Sequence, residues 1–199
     1  MTLPEIPIRF ETERLVLRRY HAGDGAWYYQ AGQRNRQHLL PFESGNAILT
    51  IENEEDGEKV IGELAADWDA HKSFFLGGFE KSTGQFVVQI YIGVVDWQLP
   101  EFEIGYFVDK DHEGCGFVTE AVQASLAFIF QHLKAHRVCL HTSDLNVRSW
   151  RVAERCGFVK EGHLRETHRH PDGTFSGDFS YGLLKSEFEA RQPVIGSAG

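Results

Sequence analysis

Long apolar runs are missing from this 199-residue chain, and so is any surplus of basic residues. No stretch of about 20 apolar residues occurs, which argues against a membrane span. Nothing has the charged start and apolar centre of a secretory leader, so secretion is not expected. Lys and Arg number 20 against 29 Asp and Glu, a formal net charge of −9. General nucleic-acid binding needs a basic surface and is therefore not expected. The cysteines are three, Cys115, Cys139 and Cys156, odd in number and unclustered. They do not suit a disulfide framework or a zinc site and read as reduced thiols of a cytoplasmic protein. No G-x-x-x-x-G-K-[ST] occurs, which removes the phosphate-hydrolysing P-loop class. Internal repeats and low-complexity blocks are absent too.

What is there is ordinary globular composition: 42% apolar, 25% charged, with 15 Phe and 4 Trp for packing. One domain is the natural count for this length. We place it at residues 1–187, with 188–199 as a loose tail. Phe10–Arg19 reads as one strand, with Leu15 and Leu17 alternating against Arg14, Val16 and Arg18. Gly23–Asn35 reads as a helix, and Arg36–Phe42 as a further short helix ended near Pro41. Trp27, Tyr28 and Tyr29 are expected to pack the first helix on a sheet. Leu49–Lys72 carries many acids, yet Ile48, Ile51, Val60, Ile61, Leu64 and Trp68 recur near helical spacing, so a helix with a solvated acidic face is expected.

Phe74–Glu80 and Gln85–Asp96 read as strands joined by a turn at Lys81–Gly84. Glu101–Val108 is the next strand. From Val118, apolar residues at 118, 122, 126, 129 and 133 mark one helical face. Arg137–Ser143 reads as a strand and Val147–Cys156 as a helix closed by Gly157. Phe158–Arg169 and Phe175–Leu184 read as strands about the Pro-Asp-Gly turn at 171–173.

One stretch organises the rest. The strand EIGYFV at Glu103–Val108 runs into DKDHEGCGFVTEA, Asp109 to Ala121, and a long apolar-striped helix follows. Glycines at 114 and 116 let the backbone approach a ligand. The helix start that follows offers amide hydrogens with no intrahelical acceptor. Together they make a seat for an anion, phosphate above all. A second motif follows: Asp144-Leu-Asn-Val-Arg-Ser149, then Arg155-Cys-Gly-Phe158 and Glu161-Gly162.

Taken together, E-I-G-Y, G-x-G-F-x-T-E-A, N-x-x-S and C-G-F-x-x-E-G resemble the GNAT acetyltransferase superfamily, and within it the RimJ/RimL-like branch that acetylates protein α-amino groups. The resemblance is tight from Glu101 to Gly162, and looser over Phe10–Arg19 and the tail YGLLKSEF. It implies the mixed α/β acyl-CoA N-acyltransferase fold: a mostly antiparallel sheet in which two parallel neighbours, near Glu103–Val108 and Arg137–Ser143, splay apart. It implies acetyl-coenzyme A as cofactor. Its phosphates would sit on Glu113, Gly114, Cys115, Gly116, Phe117 and Val118, and its pantetheine arm on the strand edge at Phe107 and Val108. It also implies direct transfer in a ternary complex, without an acyl-enzyme at Cys115.

In the resembled family the loop more often begins with Gln or Arg. Here Asp111, His112 and Glu113 stand there, so backbone amides carry the seat, with His112 a partial compensation if protonated. Asn146 and Ser149 share a helical face. Asn146 is a good N-cap; the resemblance implies that it also bonds the pantetheine, and that Ser149 protonates the leaving thiolate. A helix N-terminus favours negative charge developing there. For the base, Glu103 and His168 are the candidates. A lysine amine is roughly 0.1% neutral near pH 7.5, an α-amine roughly a quarter to a third, so an α-amine needs only a weak base. Glu120 reads as a structural helix residue, and no metal is expected. The acceptor expected is a protein N-terminal amine. The alternatives are a small amine, such as a polyamine, amino sugar or antibiotic, and a degenerate coenzyme A-binding sensor. Monomer and homodimer are both open.

Overall fold

A computed structural model describes residues 6–191. The elements in chain order are β1 (Arg9–Glu11), β2 (Leu15–Arg19), α1 (Gly25–Leu39), α2 (Glu54–Asp69), β3 (Ser73–Glu80), β4 (Phe86–Asp96) and β5 (Glu101–Val108). There follow α3 (Phe117–Gln131), β6 (Arg137–Ser143), α4 (Val147–Cys156), β7 (Val159–Arg169), β8 (Phe175–Leu184) and α5 (Lys185–Arg191). The eight strands form one sheet in the order β1-β2-β3-β4-β5-β6-β8-β7. Every neighbouring pair is antiparallel except β5 and β6.

That parallel pair is the feature that positions the site. Glu101, Phe102 and Glu103 pair with Arg137, Val138 and Cys139, and there the recorded pairing stops. Beyond Glu103, β5 stays with β4 as far as Val108, while β6 stays with β8 as far as Ser143. The two strands therefore part toward their C-terminal ends, as the resemblance implied.

Each face of the sheet carries its own core. Phe74, Leu76, Val88, Ile90, Ile92, Phe102 and Ile104 face α3, which brings Val122, Leu126 and Ile129 to the same cluster. On the other face Phe75, Phe79, Phe86 and Phe107 meet Tyr20, Tyr28, Ala31, Ile61 and Leu64, mostly from α1 and α2. Tyr28 is fully buried, and Trp27 packs on Tyr20, Phe79 and Phe86, the packing role expected of them. Helices α1 and α2 cross closely at Gly25 and Gly57, and the Glu58 carboxylate accepts from the N–H groups of Gly23 (2.7 Å) and Gly25 (2.9 Å) at the start of α1. Acids Glu54, Glu55 and Asp56 fill the first turn of α2, where the helix dipole favours them, and Asn53 caps it.

Three sequence expectations change. The single strand over Phe10–Arg19 is two, because the Thr12 hydroxyl accepts from the Leu15 N–H at 2.9 Å and turns the chain back on itself. The separate helix over Arg36–Phe42 is the last part of α1, which runs on to Leu39 because Tyr28, Ala31, Asn35 and Leu39 continue one buried face. It stops before Pro41, which has no N–H to extend it. At the other end the packed chain runs past 187: Phe188 in α5 is buried and stacks on Phe130 with ring centres 4.7 Å apart. The rest of the expected tail, 192–199, lies outside the described residues.

Candidate active site

Asp109 pins the start of the glycine loop to α1. It is buried, accepts from Arg34 Nε at 2.5 Å and from Asn35 Nδ2 at 2.9 Å, and Asn35 Oδ1 accepts from the Lys110 N–H at 2.8 Å. Burial by itself would raise the Asp109 carboxyl; the bonds from Asn35 and Arg34 hold it below the ordinary carboxylate range. Gly114 and Gly116 then adopt left-handed conformations, with φ of +73° and +81°. Gly116 is the N-cap of α3 and brings no side-chain cap. The N–H groups of Phe117, Val118 and Thr119 thus begin the helix without an intrahelical acceptor. Glu120, in the first turn, accepts from the Thr12 hydroxyl at 2.5 Å and from Arg14 Nε at 2.7 Å, and so ties the loop to the β1–β2 turn. Its role is structural, as expected.

Across the gap stands α4. Asn146 caps it, its side-chain oxygen accepting from the Ser149 N–H at 3.2 Å. Tyr106, from the part of β5 that has left β6, donates its hydroxyl to the Ser149 carbonyl at 2.9 Å, and Ser149 Oγ lies 3.5 Å from the same phenol oxygen. Burial pushes the Tyr106 phenol well up, with the Ser149 contact opposing, so it is a neutral donor.

A cavity of about 400 Å³ lies between these walls, lined by Tyr106, Phe107 and Val108 of β5, Glu113, Val118, Leu145–Ser149, Val152, and by His38, Leu39, Phe42 and Glu43 at the end of α1. A smaller one of about 60 Å³ fills the gap itself, between Ile104–Tyr106 and Leu140–Ser143. On the other side of β5 a third, about 390 Å³, is lined by Phe42–Ala47, Phe75, Gln89, Tyr91 and Gly105–Phe107. The arrangement is a helix start with free amides, which suits an anion, a slot along the strand edge that β6 has left, and the Ser149 hydroxyl in its lining. At the rims of the slot Arg148 donates to the Glu113 carboxylate, and His38 Nε2 lies 3.5 Å from the same oxygen.

Residues 14–159 match the family described as the acetyltransferase (GNAT) domain. The chain belongs to the GNAT acetyltransferase family. Among the relatives of this GNAT chain is the [ribosomal protein uS5]-alanine N-acetyltransferase of Escherichia coli, 27% identical over 167 residues that cover 80% of this chain and 82% of that protein. Among solved structures, the ribosomal-protein-S5-alanine acetyltransferase of Vibrio fischeri superposes with a TM-score of 0.79 at 20% identity, covering 92% of this chain and 99% of that one. RimL, a ribosomal L7/L12 α-N-protein acetyltransferase solved with coenzyme A, superposes with a TM-score of 0.77 at 17% identity, covering 90% and 97%. The relatives are those of the RimJ/RimL-like branch.

The GNAT cleft brings together Phe107, Val108, Glu113, Val118, Asn146 and Ser149. Gly114, Cys115 and Gly116 form the loop beside it; the Cys115 side chain is exposed and its carbonyl accepts from Arg14 at 2.9 Å. Phe117 is buried beneath the Arg14 guanidinium, 4.5 Å away. His112 turns to the other side of the loop, 3.4 Å from Asp109, and lines a groove of about 880 Å³ in which Arg18 pairs with Asp24 and Arg34 with Asp109.

Of the two candidate bases, Glu103 is half-buried at the last position of β5 that pairs with β6, opposite Cys139. Burial and then the charges of Glu101 and Glu103 push the Cys139 thiol up to about 11. His168 is exposed on β7, where it meets Asp178 at 2.7 Å, and it lines none of the three cavities. Sequence reasoning missed Tyr106, His38, Arg148 and Glu43. Tyr106 had a signal, since it sits within E-I-G-Y two positions before Val108. Arg148 lies inside N-x-x-S but at a position that motif leaves open. His38 and Glu43 flank a turn whose sequence carries no recognisable code.

Proposed function

We propose that this chain transfers an acetyl group from acetyl-coenzyme A to a primary amine, in particular the α-amine of a protein N-terminus of the ribosomal-protein kind. The observation that carries the reading is the parting of β5 from β6, which opens one cavity on Ser149, Asn146 and the side-chain-free start of α3. The residues present fit the cofactor. Amides of Glu113–Val118 would take its diphosphate, the edge at Phe107 and Val108 its pantetheine, and Asn146 the adjoining amide. When bound, acetyl-coenzyme A supplies the activated thioester. Ser149 would give its proton to the departing sulfur from the N-terminus of a helix, where negative charge is favoured. Direct transfer in a ternary complex is the mode proposed; the exposed Cys115 thiol, turned to the Glu113 carbonyl, lends no support to an acyl-enzyme.

The α-amine is favoured over lysine for two reasons. An α-amine is substantially neutral near pH 7.5 and a lysine is not. The relative that acetylates ribosomal protein uS5 is matched over four-fifths of both chains. The test is release of free coenzyme A thiol by the purified protein with a panel of alanine- and serine-initiated peptides, ε-amine peptides and polyamines, followed by mass spectrometry. Acetylation at peptide α-amines supports the reading. Acetylation of polyamines alone would move the acceptor to small amines, and binding of coenzyme A with no thiol release would leave a binding role.

A further inference from the structure

We infer that Glu43 is the residue that takes the proton from the acceptor ammonium. The inference rests on the acetyl-transfer reading above. Glu43 lines all three cavities: the cofactor side with Ser149, the gap between β5 and β6, and the opposite face with Gln89 and Tyr91. An amine arriving over Tyr91 and a thioester lying beside Ser149 meet where this carboxylate stands. Glu103 and His168 line none of the three.

Its backbone is fixed. The Glu43 N–H donates to the Leu39 carbonyl at 2.7 Å, and its own carbonyl accepts from the Asn46 N–H at 2.9 Å. Its side chain is half-buried and meets the Asn46 side chain; among the described residues it forms no ion pair. Burial lifts the carboxyl above its ordinary range, against the pull of Asn46, which brings it closer to the neutral pH at which a general base works best.

His38 and Arg148 are turned to Glu113. Burial raises the phenols of Tyr91 and Tyr106, so both are neutral. His141, on β6, lines only the narrow gap.

The step balances. The ammonium gives one proton to the Glu43 carboxylate. The neutral nitrogen bonds to the acetyl carbonyl carbon as the carbon–sulfur bond breaks. The second nitrogen proton ends on sulfur by way of the Ser149 hydroxyl. Glu43 returns its proton to solvent through the open cavity, so the sum is amide, thiol and one released proton.

The test measures kcat/KM between about pH 6 and 9.5 for the wild type and Glu43→Gln, with an alanine-initiated peptide, whose α-amine titrates inside that range. At neutral pH the variant is expected to be about a hundredfold slower or more, as for general bases elsewhere. The deficit should shrink once pH passes the pKa of the amine, about 8 for an α-amine, because the amine then arrives neutral. Glu43→Asp should recover part of the pH profile. A deficit constant across pH, or none, overturns the inference.

A second arm needs no turnover. The Glu43 carboxyl is titrated by carbon-13 NMR with coenzyme A present. Its midpoint should fall when the free amine is added and stay put with the acetylated product. An unmoved midpoint overturns the inference. If the wild type releases no thiol with any amine, the acetyl-transfer reading fails separately, and this arm still decides whether an ammonium sits beside Glu43.

Discussion

Arg148, in the first turn of α4, donates to the carboxylate of Glu113 at the start of the glycine loop, so an exposed ion pair joins the two walls of the cleft. His38 approaches the same oxygen from α1. The loop is acidic in sequence, yet its nearest carboxylate meets the Arg148 guanidinium from α4 and the His38 ring from α1. An exposed pair of this kind is worth little by itself and exchanges easily. Arg148→Met removes a cation and leaves Glu113 bare beside the phosphates. Coenzyme A binding should weaken about three- to tenfold, roughly 0.6 to 1.4 kcal/mol, on the scale of exposed charge pairs. Calorimetry with coenzyme A checks this, and pantetheine, which lacks the diphosphate, should bind both proteins alike. Equal coenzyme A affinities would show that the pair does not touch the phosphate seat.

Tyr106 and Ser149 make the next prediction. The phenol holds the Ser149 carbonyl at 2.9 Å and sits 3.5 Å from its hydroxyl, which is at the outer limit of a hydrogen bond. Ser149→Ala removes the proposed proton donor and should lower kcat roughly tenfold to a thousandfold. Tyr106→Phe leaves the hydroxyl in place and loses only the bond that steadies it, so a smaller fall is expected, about tenfold or less. Steady-state kinetics on both variants measures the order. A Ser149→Ala enzyme with the wild-type turnover number would remove Ser149 from the chemistry.

The extent to which this site could be read from sequence follows from how local its signals are. The strand–glycine–helix passage, the Asn146 cap and the Ser149 face are neighbours in sequence, and their spacing states their geometry. The apolar stripe of α3 was equally plain, because 122, 126 and 129 fall on one buried face, with Leu133 buried just beyond the helix end. Pro41 suggested a helix end in the right place, but nothing in the sequence distinguished one helix from two before it. Glu43, His38 and Tyr106 share a cavity only because α1 ends against the free edge of β5, a contact between segments far apart in the chain. No local spacing encodes that. The parting of β5 and β6 is of the same kind: it was implied by family resemblance and could not be read from periodicity.

Asp109 gives a prediction about acid. Its carboxyl is held below the ordinary carboxylate range in the folded protein, by Asn35 and Arg34 against the cost of burial. Above the unfolded value, about 3.9, both states are ionised and the stabilisation is complete. As pH falls below that value the unfolded chain binds a proton first, and the stabilisation drains away until the folded value is passed. Asp109→Asn should be less stable at neutral pH by about 2 kcal/mol, the scale of a bond to a charged group. It should also lose less of its Tm than the wild type between about pH 5 and 3. Parallel Tm–pH curves for the two proteins would show that Asp109 is not held as the geometry requires.

Gly57 tests the packing that sets the α1 wall of the cleft. A Cβ there would lie 2.4 Å from the Gly25 carbonyl oxygen, and a Cβ on Gly25 would lie 2.3 Å from the Glu58 nitrogen. These are backbone atoms, which cannot rotate aside as a side chain would. Within an isolated helix Gly→Ala stabilises by about 1 kcal/mol. Here the sign should reverse: Gly57→Ala must push α1 off α2, at a cost of about 1–3 kcal/mol for overpacking a tight contact. Because α1 ends at His38 and Leu39 in the wall of the cavity that Ser149 lines, the displacement should also raise KM for acetyl-coenzyme A, while Gly62→Ala, with open space around it on the same helix, should be neutral or stabilising. Chemical denaturation and kinetics on the two alanine variants make the comparison. A Gly57→Ala protein as stable as Gly62→Ala would mean that the two helices are not locked at this crossing.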